Sequence, residues 1–241
     1  MIQVKLNAID STNDYLKKNP GLDQLPNFLV VTAENQTNGR GQHGANWTSE
    51  PGKNLITSVL VHDFYKDKFA PFELIIAVSV AIHHALQQFS IPDLAIKWPN
   101  DIMSGNKKIG GILIENLHKS DKRIFSIIGL GLNVNQIQFD GFPQASSLQL
   151  ICAKEFDKQE LLEKIVSVLE HKLLYWDALR ESSMEHYQNY LFKKGVSAQF
   201  KTKHNTFSGI ISGVDPEGRL EITNEFNKKI SFELKEIQLI Y

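Results

Sequence analysis

The clearest periodicity in the chain begins at Pro71. Leu74, Ile75, Val78, Ile82, Leu86 and Phe89 recur at the spacing of one helical face, with a proline suited to a first turn and Pro92 beyond the end. A second helical face follows Asp157, where Leu161, Leu162, Ile165, Leu169, Leu173 and Trp176 line up behind an Asp157/Glu160 capping pair. A short helix is signalled by Ser11-Thr12-Asn13-Asp14 and stopped by Pro20-Gly21. Apolar, β-rich runs at residues 28–33, 55–61, 94–98, 109–115 and 125–134 read as strands. Past Gly195 the texture changes to short strands at 196–200, 207–214, 219–223 and 229–234, broken by turn residues such as Asp215-Pro216-Glu217-Gly218. The pattern predicts an α+β domain over residues 1–192 followed by a small β-barrel over 193–241.

Composition narrows the classes. The 241 residues carry a net charge of -1, so no broad basic face is available and a nucleic-acid partner is not expected. A single cysteine, Cys152, excludes an intrachain disulfide and a thiolate metal cluster, which fits a reducing compartment. The start of the chain lacks the pattern of a signal peptide, and the longest apolar stretch, near residues 74–82, is too short to cross a bilayer. A cytoplasmic protein without a membrane partner is expected, as monomer or homodimer.

Candidate chemistry begins in the polar loop between the first two strand runs. Gly39-Arg40-Gly41-Gln42-His43-Gly44 matches the spacing of a dinucleotide fingerprint, but that motif must open a helix. Here Asn46-Trp47-Thr48-Ser49-Glu50-Pro51-Gly52 is hostile to helix and a strand follows, so the Rossmann reading fails. No phosphate-binding P-loop motif occurs either. What remains is a flexible loop whose glycines let backbone amides approach an anion and whose Arg40 offers a planar fork for phosphate or carboxylate. An ordinary surface loop with a solvated arginine has the same composition.

The second candidate is Lys97-Trp98-Pro99-Asn100-Asp101, answered by Lys107-Lys108-Ile109-Gly110-Gly111-Ile112-Leu113-Ile114-Glu115. Either lysine here has solvation as its usual fate, and Asp101 is also a common turn former. Two glycines inside a strand are harder to dismiss, because they mark close approach of a ligand or of another backbone.

Together with Ser11-Thr12-Asn13, Gln36, Trp47, Asn54-Leu55 and Gly129-Leu130-Gly131-Leu132-Asn133, these stretches resemble the biotin–protein ligase family. That family shares its catalytic fold with lipoate ligases and class II aminoacyl-tRNA synthetases, and the β-rich tail is similar to its C-terminal SH3-like barrel. The resemblance implies a mixed sheet flanked by helices and a two-step reaction. The biotin carboxylate attacks the α-phosphate of ATP to give biotinyl-5'-adenylate and pyrophosphate, and a lysine of a biotin carboxyl carrier protein then takes the biotinyl group. It further implies that Lys108 reaches carboxylate and α-phosphate and that Arg40, with the amides around Gly41 and Gln42, holds the phosphate. Ser11, Thr12, Asn13 and Gln36 would bind the ureido ring, Trp47 would cover the intermediate beside Gly111, and Asn133 would lie near the nucleotide. Mg²⁺ should accompany ATP, with Asp101 its protein contact or, alternatively, the group that orients the acceptor lysine.

The resemblance starts at the family's catalytic domain, so a ligase without the DNA-binding repressor domain is expected. One departure stands out: family loops commonly carry arginine where this chain has Gln42 and Ala45, which leaves less positive charge for the adenylate. The rivals are a lipoate or octanoyl ligase on the same fold and a non-enzymatic nucleotide- or RNA-binding protein. The second leaves Lys108, Gly110-Gly111 and the neutral Ser11–Asn13 set without a purpose.

Overall fold

A computed structural model describes residues 1–65 and 70–241. In chain order its elements are β1 (Gln3–Ile9), α1 (Thr12–Lys17), β2 (Val30–Gln36), β3 (Leu55–His62), α2 (Pro71–Gln87), β4 (Leu94–Lys97), β5 (Asp101–Ser104), β6 (Lys107–His118) and β7 (Ile124–Leu132). Then come α3 (Leu148–Cys152), α4 (Lys158–Leu174), α5 (Trp176–Asn189) and β8 to β12 (Ser197–Thr202, Thr206–Val214, Leu220–Asn224, Lys229–Phe232 and Ile237–Ile240).

β1 to β7 form one mixed sheet in the order β1-β2-β3-β7-β6-β5-β4; β1 and β2 run parallel and the other neighbours antiparallel. Side chains alternate across a strand, so each strand serves two faces. Val59 and Val61 of β3 and Ile128, Leu130 and Leu132 of β7 join α2 and α4 in the larger core. Leu60 of β3 and Phe125 and Ile127 of β7 pack with Leu16 of α1 in a smaller core on the opposite face. Ser58, Gly129 and Gly131 share the α1 face by the same alternation. That small-residue floor is where the candidate site opens.

β8 to β12 form a second, antiparallel five-stranded sheet, as the short-strand texture predicts. Its inner side is packed by stacked rings of Phe200, Phe207 and Phe232. The two sheets meet where Trp98 Nε1 donates to the Gly218 carbonyl (2.9 Å). No helix among the described residues is long and apolar enough to cross a membrane.

The structure differs from the pattern in particular places. The helix expected to run on through Trp176 stops at Leu174; Tyr175 leaves helical geometry (φ -107°, ψ 25°) and Trp176 opens α5. Trp176 stays buried because its indole N–H reaches Glu73 Oε2 at 3.0 Å. β1, β5, α3, the run of α5 beyond Trp176 and β12 are additional elements. β1 is a half-exposed edge strand whose Val4 and Leu6 pack on the smaller core while Lys5 and Asn7 face out, so its alternation is short and mixed with polar residues.

Candidate active site

Ser11 caps α1, its hydroxyl oxygen accepting from the Asp14 amide at 3.4 Å. That role uses the oxygen and leaves the hydroxyl hydrogen available. Thr12 donates twice to Gln36 Oε1, from its amide (2.8 Å) and its hydroxyl (3.1 Å), which leaves the Gln36 NH₂ group free to turn elsewhere. Asn13 is held at both ends: Nδ2 donates to Glu115 Oε2 (3.0 Å) and Oδ1 accepts from Ser58 Oγ (2.6 Å). Glu115 is in turn paired with Lys17 at 2.5 Å. Gly129 makes this possible, since a Cβ there would stand 2.6 Å from Asn13 Oδ1.

Residues 39–47, expected as a flexible loop, close into a tight hairpin. The Trp47 amide donates to the Gly39 carbonyl (2.9 Å), the Gly41 amide donates to the Ala45 carbonyl (2.7 Å), and a single 3-10 turn at Gln42–Gly44 forms the tip. Gly39 is required by this closure, because a Cβ would lie 2.4 Å from the Trp47 carbonyl oxygen. The hairpin lays the Trp47 indole on Gly131, where a Cβ would come within 2.4 Å of the ring. Of the two strand glycines singled out in sequence, Gly110 backs onto the Gly131 carbonyl and Gly111 faces the Lys108 and Trp47 side chains. The indole Nε1–H is buried with no acceptor among the described residues, an arrangement that a bound acceptor atom would relieve.

Charge gathers on one side. Lys108 Nζ lies 2.6 Å from Asp101 Oδ1 and Lys97 Nζ lies 3.2 Å from Asp101 Oδ2, so each carboxylate oxygen already has an ammonium partner. Lys108 Nζ also stands 5.9 Å from the centre of the Trp47 ring. Arg40 reaches back to Asp14 at 3.0 Å.

These residues surround a cavity of about 170 Å³ lined by Ser11, Thr12, Asn13, Gln36, Arg40, Gly41, Gln42, Trp47, Asp101, Lys108 and Gly111. Ala45 lines it too, so the two positions where the family's arginines are replaced both face the cavity. A second cavity, about 340 Å³, opens beyond Trp47 and is walled by Asn133, Phe139 and Phe142. Asn133 therefore stands apart from the first cavity; its Nδ2 donates to the Ser146 carbonyl (3.0 Å) and ties down the segment that forms the second wall. Asn46, Trp47 and Lys108 line both cavities. Sequence reasoning assigned no role in the site to Ser58, Glu115 or Asp14. Ser58 hides in an apolar run, and Asp14 reads as part of a capping box.

The sequence pattern of the biotin/lipoate A/B protein ligase family matches residues 6–133. The chain belongs to that family. It is 31% identical over 222 residues to the bifunctional ligase/repressor BirA of Bacillus subtilis, covering 86% of this chain and 66% of that protein. It is 27% identical to the biotin–[acetyl-CoA-carboxylase] ligase of Mycobacterium tuberculosis over 80% of this chain and 72% of that one. Among solved structures, the biotin protein ligase of Aquifex aeolicus in complex with biotin and ATP superposes with a TM-score of 0.81, at 23% identity over 99% of this chain and 98% of that one. The fold is the one the resemblance implies: a mixed sheet with flanking helices and a separate C-terminal antiparallel sheet.

Proposed function

We propose that the chain is a biotin–protein ligase that forms biotinyl-5'-adenylate from biotin and ATP and passes the biotinyl group to a lysine of a biotin carboxyl carrier protein in the cytoplasm. The observation that carries this reading is the shared wall: two neighbouring cavities meet at Lys108 and Trp47. Two anions must be brought together for the first step, and a cation placed between their sites lowers the cost of the approach. The relative named as a biotin–[acetyl-CoA-carboxylase] ligase supports the same reading.

In this account the first cavity takes biotin. Ser11, Thr12, Asn13 and Gln36 are neutral donors and acceptors, suited to an uncharged ureido ring. The buried network behind Asn13 fixes which end of its amide faces which neighbour. The second cavity takes the nucleoside, beside Asn133. The carboxylate oxygen of biotin attacks the α-phosphorus and pyrophosphate leaves, with Lys108 and Arg40 facing the charge that develops. In the second step the acceptor amine attacks the acyl carbon and AMP leaves.

Magnesium enters with the nucleotide as MgATP. Both oxygens of Asp101 are held by ammonium groups, and among the described residues no three acidic, histidine or cysteine side chains converge on a metal position. Asp101 would have to release a lysine to meet a metal ion, so the geometry favours it as the holder of Lys108. Residues 1–192 and 193–241 act in this reading as catalytic unit and small appended unit.

The rival is lipoate or octanoate activation. A pocket built around neutral hydrogen-bonding groups rejects a ligand that leaves them unpaired, by factors of about 10⁴ in well-built sites. Pyrophosphate release with biotin, lipoate and octanoate in parallel tests the choice. Release with biotin is expected, and release with lipoate or octanoate in its place overturns the assignment.

A further inference from the structure

Asp14 is a carboxylate only 7% exposed in its side chain, one residue past the three that α1 contributes to the cavity. A buried carboxylate must be compensated. Lys18, four residues on, reaches it at 3.4 Å, but that lysine is 68% exposed and such helix-surface pairs are weak. The closer partner is Arg40, whose NH2 lies 3.0 Å from Asp14 Oδ2. Arg40 comes from the hairpin and lines the cavity, so this contact joins two separately built walls of the site.

A guanidinium has five N–H donors in a fixed plane. The ion pair with Asp14 engages one end of that plane and leaves the remaining donors for an anion. An arginine on an exposed hairpin otherwise loses much of its rotamer freedom on binding, and a partner that holds it beforehand removes part of that cost. The need is sharper in this chain because Gln42 and Ala45 face the cavity without charge, leaving Arg40 as the hairpin's one arginine.

We propose that Asp14 is a positioning residue that aims Arg40 at the phosphate of the intermediate. The proposal rests on the ligase reading above. Its test is a double-mutant cycle on the release of preformed biotinyl-adenylate, using the natural protein, Asp14→Asn, Arg40→Ala and the double variant. Asp14→Asn should speed release by about tenfold and raise KM for ATP more than it lowers kcat, as for coupled neighbours in one network. Combined with Arg40→Ala it should add nothing. An equal effect in both backgrounds would reduce Asp14 to a support for α1, and slower release from Asp14→Asn would mean that Asp14 withholds Arg40 from the ligand. Asp14→Glu keeps the charge and should recover part of the retention; a glutamate variant no better than asparagine also counts against the proposal. Failure of the natural protein to form any adenylate is a separate outcome, which sinks the ligase reading and this one with it.

Discussion

Polar side chains are buried on both faces of the seven-stranded sheet, and the two groups are wired differently. Behind α2, three histidines form a closed chain. His84 Nε2 meets His186 Nδ1 at 3.1 Å, His186 Nε2 meets His83 Nδ1 at 3.0 Å, and His83 Nε2 reaches the Leu94 carbonyl at 3.4 Å. One assignment of neutral rings satisfies every link, with each histidine donating from Nε2 and with His186 and His83 accepting at Nδ1. On the α1 face the wiring is left open. Trp47 Nε1 has no acceptor among the described residues, and Arg40 and Lys108, which line the cavity, are each held by a carboxylate. A network that consumes its own donors is scaffold, while one that keeps donors and charge in reserve is built to meet something else.

The largest effect that bears on this contrast is at Lys108. Lys108→Ala should cut adenylate formation by roughly a hundredfold to a thousandfold, in line with loss of one well-placed donor. The fold should persist, because the side chain is 34% exposed and packs in neither core. Single-turnover pyrophosphate release together with a melting curve checks both halves. Near-normal rates would remove Lys108 from the mechanism.

The histidine chain should respond to pH in stability first. Burial pushes His83 down to about 4 and His186 down to about 3 from an ordinary 6.5, and it lowers His84 as well. The buried Lys172 amine, which donates to Ser183 Oγ at 3.0 Å, adds to the lowering of His84 and His186. Below 6.5 the unfolded chain takes up protons that the folded chain refuses. The stability is therefore full above 6.5 and declines as the pH falls toward 4. Between pH 7 and 5.5 each of His83 and His186 should cost roughly 1 kcal/mol. Urea unfolding at the two pH values reads this directly, and a flat profile would mean that the folded histidines take up protons as readily as the unfolded ones.

The smallest effect concerns the hairpin's missing charge. Gln42 faces the first cavity, so Gln42→Arg adds a charge-assisted donor beside the intermediate. Such bonds contribute about 1.5–3 kcal/mol when well formed, and half of that slows escape several-fold. Release of preformed biotinyl-adenylate should be several-fold slower from Gln42→Arg, whereas equal rates would show that the natural hairpin already reaches the same atoms.

How much of this was legible in the chain depends on how far apart the interacting residues lie. Helical faces such as 74–89 and glycine punctuation in the hairpin are local signals, and they survive folding with shifts of a residue or two. The residues expected to meet biotin and the phosphate line the first cavity, and Asn133, expected near the nucleotide, lines the second; Ile56 and Thr57, which no motif named, line the first as well. What could not be read is pairing across long separations. Ser58 matters because Thr12 and Asn13 come to rest on it, and Asp14 because the hairpin folds back over α1. Gly131 was part of a quoted motif, yet its reason is the Trp47 ring laid on it from a distant segment. The break at Tyr175 was invisible for another cause: the buried face continues across it, so periodicity alone cannot report one non-helical residue.

The most direct measurement of the central claim is mass spectrometry of the protein after incubation with biotin, ATP and magnesium, on the natural chain and on Lys108→Ala. The account predicts bound biotinyl-5'-adenylate on the natural protein and at most a trace on the variant. An adenylate of equal abundance on both would contradict the role given to the shared wall at Lys108, and none on the natural protein would contradict the ligase assignment itself.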